Sequence, residues 1–189
     1  MRIFSVSDDY VDYLKSDVVL NNILDNKEGR RTHTRKYIGA VFLCEGYDYF
    51  IPFSSPKESD YVKNSAGIIS IRKSIIPIIR MVTADTHSGS IELLGTLKLS
   101  SMIPVPRQEL NEYNLSIELD IKYKELVVRE FRFIKDNEDK ILKYAATLYN
   151  QKLNEQNHPN EKYLQSTVNF KYAEKKCLEY CKTNNITPT

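Results

Sequence analysis

Two apolar runs separated by one turn signal, between residues 36 and 57, constrain the fold of this chain more than any other stretch. The runs cover residues 37–44 and 47–53 and consist largely of β-branched, aromatic and other apolar residues, which favour strands. Glu45 and Gly46 lie between them and supply a tight turn. Because both runs are almost continuously apolar, we expect a β-hairpin at the centre of a sheet that is covered on both faces.

The predicted hairpin ends in a small polar loop, Ser54-Ser55-Pro56-Lys57. Pro56 lacks a backbone N–H, so it ends the strand and stiffens the loop. A basic segment, residues 30–36 with the sequence RRTHTRK, enters the same hairpin from the other side. If the strands pair antiparallel about the turn, residues near 36 lie opposite residues near 54. The sequence therefore predicts an anion site with candidate acid–base groups at one end of the sheet.

The remaining strand signals lie in the first 106 residues. Residues 2–6 alternate in polarity and predict a first strand, and residues 8–15 predict a helix behind the capping residue Ser7. Further short strands are predicted in three segments: 67–73, 91–100 and 102–105. No long helical crossover separates these strands, which favours an antiparallel or mixed sheet, curled toward a barrel, over a doubly wound fold.

The composition changes after Pro106, where glycine is absent and charged helix formers dominate. Tyr123, Val127, Phe131 and Ile134 share one face of a helix predicted over residues 121–136. Two more helices are predicted, over 137–154 and 169–182. Neither a linker nor a repeat separates the halves, so we expect one domain, residues 1–189, of the α+β class with the helices packed on the sheet.

The overall charge and the cysteines narrow the functional classes. Lys and Arg number 27 against 25 Asp and Glu, so a nucleic-acid surface would require local clustering of the basic residues. Three cysteines, without a secretory signal or a long apolar run, predict a cytoplasmic protein with no membrane segment. Phosphate-cradling glycine loops, HExxH and CxxC are absent, so no nucleotide cofactor and no metal site is predicted.

A site that contains serine, lysine and arginine side chains but no metal ion suits phosphoryl transfer within RNA. The cations can hold the charge that grows on the phosphate oxygens, the hydroxyls can position the phosphate, and a lysine crowded by cations or a histidine can exchange protons near neutral pH. The candidate catalytic residues are Ser54, Ser55, Lys57, Arg35 and Lys36. The basic segment supplies the candidate RNA-binding residues, Arg30, Arg31, Thr32, His33 and Thr34.

Each of these features alone also has a simpler interpretation. The Ser-Ser-Pro-Lys loop is typical of an ordinary turn, and a basic run is typical of a solvated loop. A non-catalytic module that binds RNA or a protein through the same basic surface is therefore the alternative function.

Four motifs in order carry a resemblance to a known family. They are KYIGAV at residues 36–41, YFIPFSSPK at 49–57, FIKDN at 133–137 followed by Ile141, and NFK with EKKC in the segment 169–177. Together they resemble the ToxN/AbiQ family of type III toxin–antitoxin endoribonucleases. The resemblance implies a MazF/Kid/CcdB-like core elaborated with helices.

The resemblance also implies an activity and a partner. The activity is metal-independent RNA cleavage that leaves a 2′,3′-cyclic phosphate and a 5′-hydroxyl, with growth arrest and phage abortive infection as its result. The partner is a repeated, pseudoknotted RNA antitoxin, with room for a higher-order toxin–RNA assembly. The family's catalytic hydroxyl and lysine fall on Ser55 and Lys57, its preceding Ser/Thr falls on Ser54, and its basic residue falls on Arg35 or Lys36.

Overall fold

In the computed structural model the described residues are 1–27, 33–44, 46–84 and 89–187, without the side chains of residues 40–44. Within these ranges the chain forms nine strands and four α-helices. The strands are β1 (Arg2–Val6), β2 (Lys36–Cys44), β3 (Tyr47–Ser54), β4 (Tyr61–Lys63), β5 (Ile69–Ile71), β6 (Ile78–Ala84), β7 (Ile91–Lys98), β8 (Ile103–Pro104) and β9 (Leu110–Glu112). The helices are α1 (Asp8–Lys15), α2 (Ile121–Asp136), α3 (Glu138–Leu153) and α4 (Phe170–Thr183).

The strands form one seven-stranded sheet and a separate two-stranded ribbon. The sheet order is β6-β7-β3-β2-β1-β9, with β8 pairing the first part of β3, and the ribbon consists of β4 and β5. All named pairs are antiparallel. Among the strands described, β6 and β9 stand at opposite ends of the order and do not pair, so these strands do not close a barrel. The predicted antiparallel sheet is confirmed, whereas the MazF/Kid/CcdB-like barrel stays a prediction.

The hairpin of β2 and β3 has the predicted register and position. Cys44 pairs with Tyr47 beside the turn, and Tyr37 pairs with Pro52 near the other end. Gly46 occupies the turn with a φ of +90°, a conformation that side chains with a Cβ rarely adopt. Both strands lie in the middle of the sheet order. The hairpin therefore brings the start of β2 close to the end of β3, as the apolar runs predicted.

The helices of the second half were predicted closely, because apolar stripes are local signals. Helix α2 has the predicted bounds, and α3 and α4 differ from the predictions by one residue at each end. Asn169 caps α4 through a hydrogen bond that the Tyr172 backbone N–H donates to its side chain. The buried stripe of α3 and the hairpin belong to one hydrophobic cluster. Three of the four described helices are C-terminal, and the α+β class is confirmed.

The short strands differ most from the predictions. The strand predicted over residues 67–73 is only the three residues of β5, and its partner β4 lies where no strand was predicted. Strand β9 was not predicted, and it pairs with β1. Three residues are too few to show a period of two, so only pairing with another strand marks them as strands.

Two cysteines lie inside the core. Cys177 and Cys181 are buried free thiols on α4, and burial raises the pKa of Cys177 to about 12. None of the helices in the described ranges is both long and apolar enough to cross a membrane.

Candidate active site

The Ser-Ser-Pro-Lys loop leaves the sheet at the last residue of β3. Ser54 is buried within the sheet, whereas Ser55, Pro56 and Lys57 are exposed. The backbone carbonyl of Ser54 accepts a hydrogen bond of 3.5 Å from the Thr96 hydroxyl on β7. One hydroxyl of the predicted pair is therefore part of the sheet, and the other is presented to solvent beside an exposed ammonium group.

A short turn fixes the backbone of Lys57. Its N–H donates to Asp60 Oδ2 at 3.0 Å, and its carbonyl accepts from the Asp60 N–H at 2.9 Å. Asp60 is only 1% exposed, and its Oδ1 accepts from Nε and Nη2 of Arg80 at 3.1 and 3.0 Å. Arg80 in turn donates from Nη1 to the carbonyl of Lys73 at 2.8 Å. A buried ion pair thus anchors the loop to β6.

The strand register gathers four polar residues on one face of the sheet. Ser54 lies opposite Thr96, and Thr96 lies opposite Arg80. Directly opposed residues of antiparallel strands share a face, and so do residues two apart along a strand. Lys98 follows Thr96 by two positions and therefore joins the same face. The alternate residues Phe53 and Leu97 are buried in the hydrophobic core.

Lys98 is half-buried and lies among charges from separate segments. Burial lowers its pKa, and the cations of Lys57, Arg80 and Arg35 lower it further, while the carboxylate of Asp60 raises it. Of these five interacting groups, four are cationic and one is anionic. This cluster, which we call the cation cluster, creates a positive potential beside the two serines.

Arg35 attaches the basic segment to the end of β3. Its side chain is fully buried, and it donates from Nη1 to the carbonyl of Phe53 at 2.5 Å and from Nε to the carbonyl of Asp25 at 2.7 Å. Its backbone N–H donates to the carbonyl of Asn26 at 3.1 Å. The guanidinium group therefore contributes charge to the cation cluster, and Arg35 lies at the position that the hairpin register predicts.

Lys36 and His33 contact a different set of residues. The Lys36 ammonium lies 4.3 Å from the ring centroid of Tyr113, and burial lowers the pKa of this lysine. The His33 ring stacks on Tyr123 with centroids 3.8 Å apart and forms a hydrogen bond of 3.2 Å with Asp120. The structure thus brings Arg35 to the Ser-Ser-Pro-Lys loop and brings Lys36 and His33 to aromatic rings near the start of α2.

The rest of the predicted RNA-binding segment is only partly described. Thr34 is half-buried between the two groups of contacts. The predicted residues Arg30, Arg31 and Thr32 lie outside the described residues.

A buried carboxylate reaches the underside of the same strands. Gly95 on β7 has no side chain, and a Cβ at this position would lie 2.7 Å from Glu130 Oε1 and 3.0 Å from the carbonyl oxygen of Ser54. Glu130 is 6% exposed and projects from α2. The glycine therefore permits a close approach of helix, strand and loop just below Ser54.

Sequence patterns missed several members of this site. They are Asp60, Arg80, Thr96, Lys98 and Glu130. The strand order β3-β7-β6 brings these residues to the loop, and no local motif encodes it. A charged residue within an apolar strand, such as Arg80 in IIRMV, is the one available signal, because burial of a charge requires a partner.

In the part of the chain that is described, no cluster of three or more His, Cys, Asp or Glu side chains is arranged to hold a metal ion.

Comparison with known proteins identifies the family. A family model for the toxin ToxN of type III toxin–antitoxin systems matches residues 2–178. The chain belongs to this family. The ToxN-family assignment confirms the resemblance predicted from the four motifs. Endoribonuclease ToxN of Bacillus thuringiensis subsp. kurstaki is 26% identical over 184 residues, which cover 95% of this chain and 84% of that protein.

Two solved structures resemble this ToxN-family chain in fold. One is the structure of a bacterial type III toxin that is selectively inhibited by a non-coding RNA pseudoknot. That structure matches with a TM-score of 0.74 and 26% identity, over 95% of this chain and 96% of that one. The other is AbiQ, a lactococcal anti-phage endoribonuclease, with a TM-score of 0.73 and 24% identity over 96% of this chain and 98% of that one. The names of these relatives agree with the predicted endoribonuclease class.

Proposed function

We propose that this chain is an endoribonuclease toxin of a type III toxin–antitoxin system and that it cleaves RNA without a metal ion. The observation that carries the proposal is the position of the exposed Ser55 and Lys57 beside three further cations, Lys98, Arg80 and Arg35, and one carboxylate, Asp60. A phosphodiester is an anion whose non-bridging oxygens gain charge in the transition state, and preorganised cations stabilise that charge. Family membership supports the same activity.

In the proposed reaction the 2′-oxygen of a ribose forms a bond to the adjacent phosphorus, and the bond from phosphorus to the 5′-oxygen breaks. The proton of the 2′-hydroxyl passes to a base, and a proton is delivered to the leaving 5′-oxygen. The products are a 2′,3′-cyclic phosphate and a 5′-hydroxyl. We assign Ser55 to positioning of the phosphate and Lys57 to stabilisation of its negative charge, with Ser54 and Arg35 supporting them from the sheet.

The aromatic and basic group near the start of α2 is the proposed path of the RNA toward this site. His33, Lys36 and Tyr113 offer a stacked ring, an ammonium and a second ring, the combination that binds single-stranded nucleic acid. We propose that a repeated, pseudoknotted RNA antitoxin inhibits the toxin by covering the same surfaces in a toxin–RNA assembly. We place the activity in the cytoplasm, with residues 1–189 acting as one domain and phage abortive infection as its outcome.

The decisive experiment is cleavage of a long single-stranded RNA by purified protein in the presence of excess EDTA, followed by mapping of the end groups. We expect cleavage to continue, with a cyclic phosphate on one fragment and a 5′-hydroxyl on the other. A Lys57→Ala variant purified in parallel controls for contaminating ribonucleases.

Two results would contradict the proposed chemistry. Loss of cleavage on chelation would rule out the metal-free reaction, and a 3′-hydroxyl product would rule out attack by the 2′-hydroxyl. RNA binding without any cleavage would favour the non-catalytic alternative. Binding by itself does not separate the two functions, because both require the same salt-sensitive basic surface.

A further inference from the structure

The ammonium group of Lys98 has no partner among the described residues. Several lysines of the chain form ion pairs, such as Lys15 with Asp25 and Lys152 with Glu155. The Lys98 ammonium forms neither a hydrogen bond nor an ion pair with the described part of the chain, although the residue is half-buried at the end of β7. Partial burial without a partner disfavours the charged form of a lysine, so this position is costly to the folded protein.

The charges around Lys98 explain why it stays unpaired. The nearby carboxylate of Asp60 is already occupied by the Arg80 guanidinium and the Lys57 N–H. The other groups that act on Lys98 are the cations of Lys57 from the loop, Arg80 from β6 and Arg35 from the segment before β2. A bound anion would relieve this repulsion, and the nearest anion that the proposed function supplies is the phosphate of RNA.

We propose that Lys98 is a catalytic residue whose ammonium group binds a non-bridging oxygen of the scissile phosphodiester. It approaches from the sheet, on the face that carries Ser54, while Lys57 approaches from the loop. This assignment rests on the proposed endoribonuclease function and adds a second lysine to its site. Two cations that arrive from different elements hold the phosphate in one orientation, which a single flexible lysine does not achieve.

The kinetic test compares Lys98→Met and Lys98→Arg with a matched control, Lys143→Met. Lys143 is exposed on α3, so its replacement removes the same charge at a distance from the loop. We expect Lys98→Met to lower kcat/KM for RNA cleavage by about ten- to hundredfold, the usual range for a charge-assisted hydrogen bond. Lys98→Arg should retain most of the activity, and Lys143→Met should match the unsubstituted protein.

The pH dependence gives a readout that a merely structural lysine would not affect. Because burial and neighbouring cations lower the pKa of Lys98, the unsubstituted enzyme should lose activity as rising pH deprotonates this amine. Arginine stays charged over the same range, so Lys98→Arg should move the alkaline limb to higher pH.

Thermal unfolding with and without inorganic phosphate tests the assignment without any cleavage. Lys98→Met removes an unpaired cation from a cationic environment, so it should raise the melting temperature in phosphate-free buffer and reduce the stabilisation that phosphate gives. The difference from the unsubstituted protein should shrink as pH rises through the lowered pKa of Lys98. A lower melting temperature for Lys98→Met, or an unchanged phosphate response, would overturn the proposal. Because this measurement uses no RNA, a failure of the proposed cleavage would be recognised separately.

Discussion

The buried ion pair between Asp60 and Arg80 allows a quantitative prediction about what holds the loop. The two side chains are 2% and 7% exposed and are joined by contacts of 3.0 and 3.1 Å. In Arg80→Met the carboxylate keeps the Lys57 N–H but loses both guanidinium contacts. Removing one member of a buried pair costs about 3–5 kcal/mol, which is a large part of the roughly 5–15 kcal/mol that stabilises a typical domain.

Urea unfolding of a double-mutant cycle measures this interaction. Asp60→Asn and Arg80→Met should each destabilise strongly, and the double variant should cost at least about 2 kcal/mol less than their sum, because it leaves no unpaired buried charge. The exposed pair of Arg129 with Glu92 is the control, and Arg129→Met should cost less than about 1 kcal/mol. Equal effects of Arg80→Met and Arg129→Met, or additivity in the cycle, would refute the claim that a buried pair anchors the loop.

Three further predictions follow from the same structure. Lys57→Ala should abolish cleavage and toxicity with almost no change in melting temperature, because the side chain is exposed; a toxic, well-expressed variant would count against the site. Gly95→Ala should destabilise by about 1–3 kcal/mol in urea unfolding, because the new Cβ would lie 2.7 Å from Glu130 Oε1. Cys177 and Cys181 should react with a thiol reagent at pH 8 only after unfolding, because burial raises the pKa of both thiols; labelling of the folded protein would contradict their placement in the core.

The parts of this molecule that could be predicted are those with local signals. The hairpin followed from two apolar runs around Gly46, and the register that these runs imply places Arg35 beside the end of β3. The long helices followed from their apolar stripes. The Ser-Ser-Pro-Lys loop was predictable because Pro56 marks the end of a strand.

The parts that could not be predicted depend on the order of strands in the sheet. Asp60 lies in a polar segment typical of a surface loop, yet it is buried because Arg80, 20 positions later in the chain, pairs with it. Lys98 ends a strand without any motif around it, and only the pairing of β3 with β7 places it on the face that carries Ser54. The stacking of His33 on Tyr123 likewise depends on where α2 begins relative to β2.

The assembly of the cation cluster from distant segments has a consequence for how a cell makes this protein. Ser55 and Lys57 leave the ribosome before β6 and β7, so the loop lacks Arg80 of β6 and Lys98 of β7 until both strands have emerged and paired. A nascent chain therefore carries the exposed hydroxyl and ammonium without the charges around them. For a protein proposed to cut RNA in the cell that translates it, the nascent chain therefore lacks the complete centre until β6 and β7 have emerged and paired.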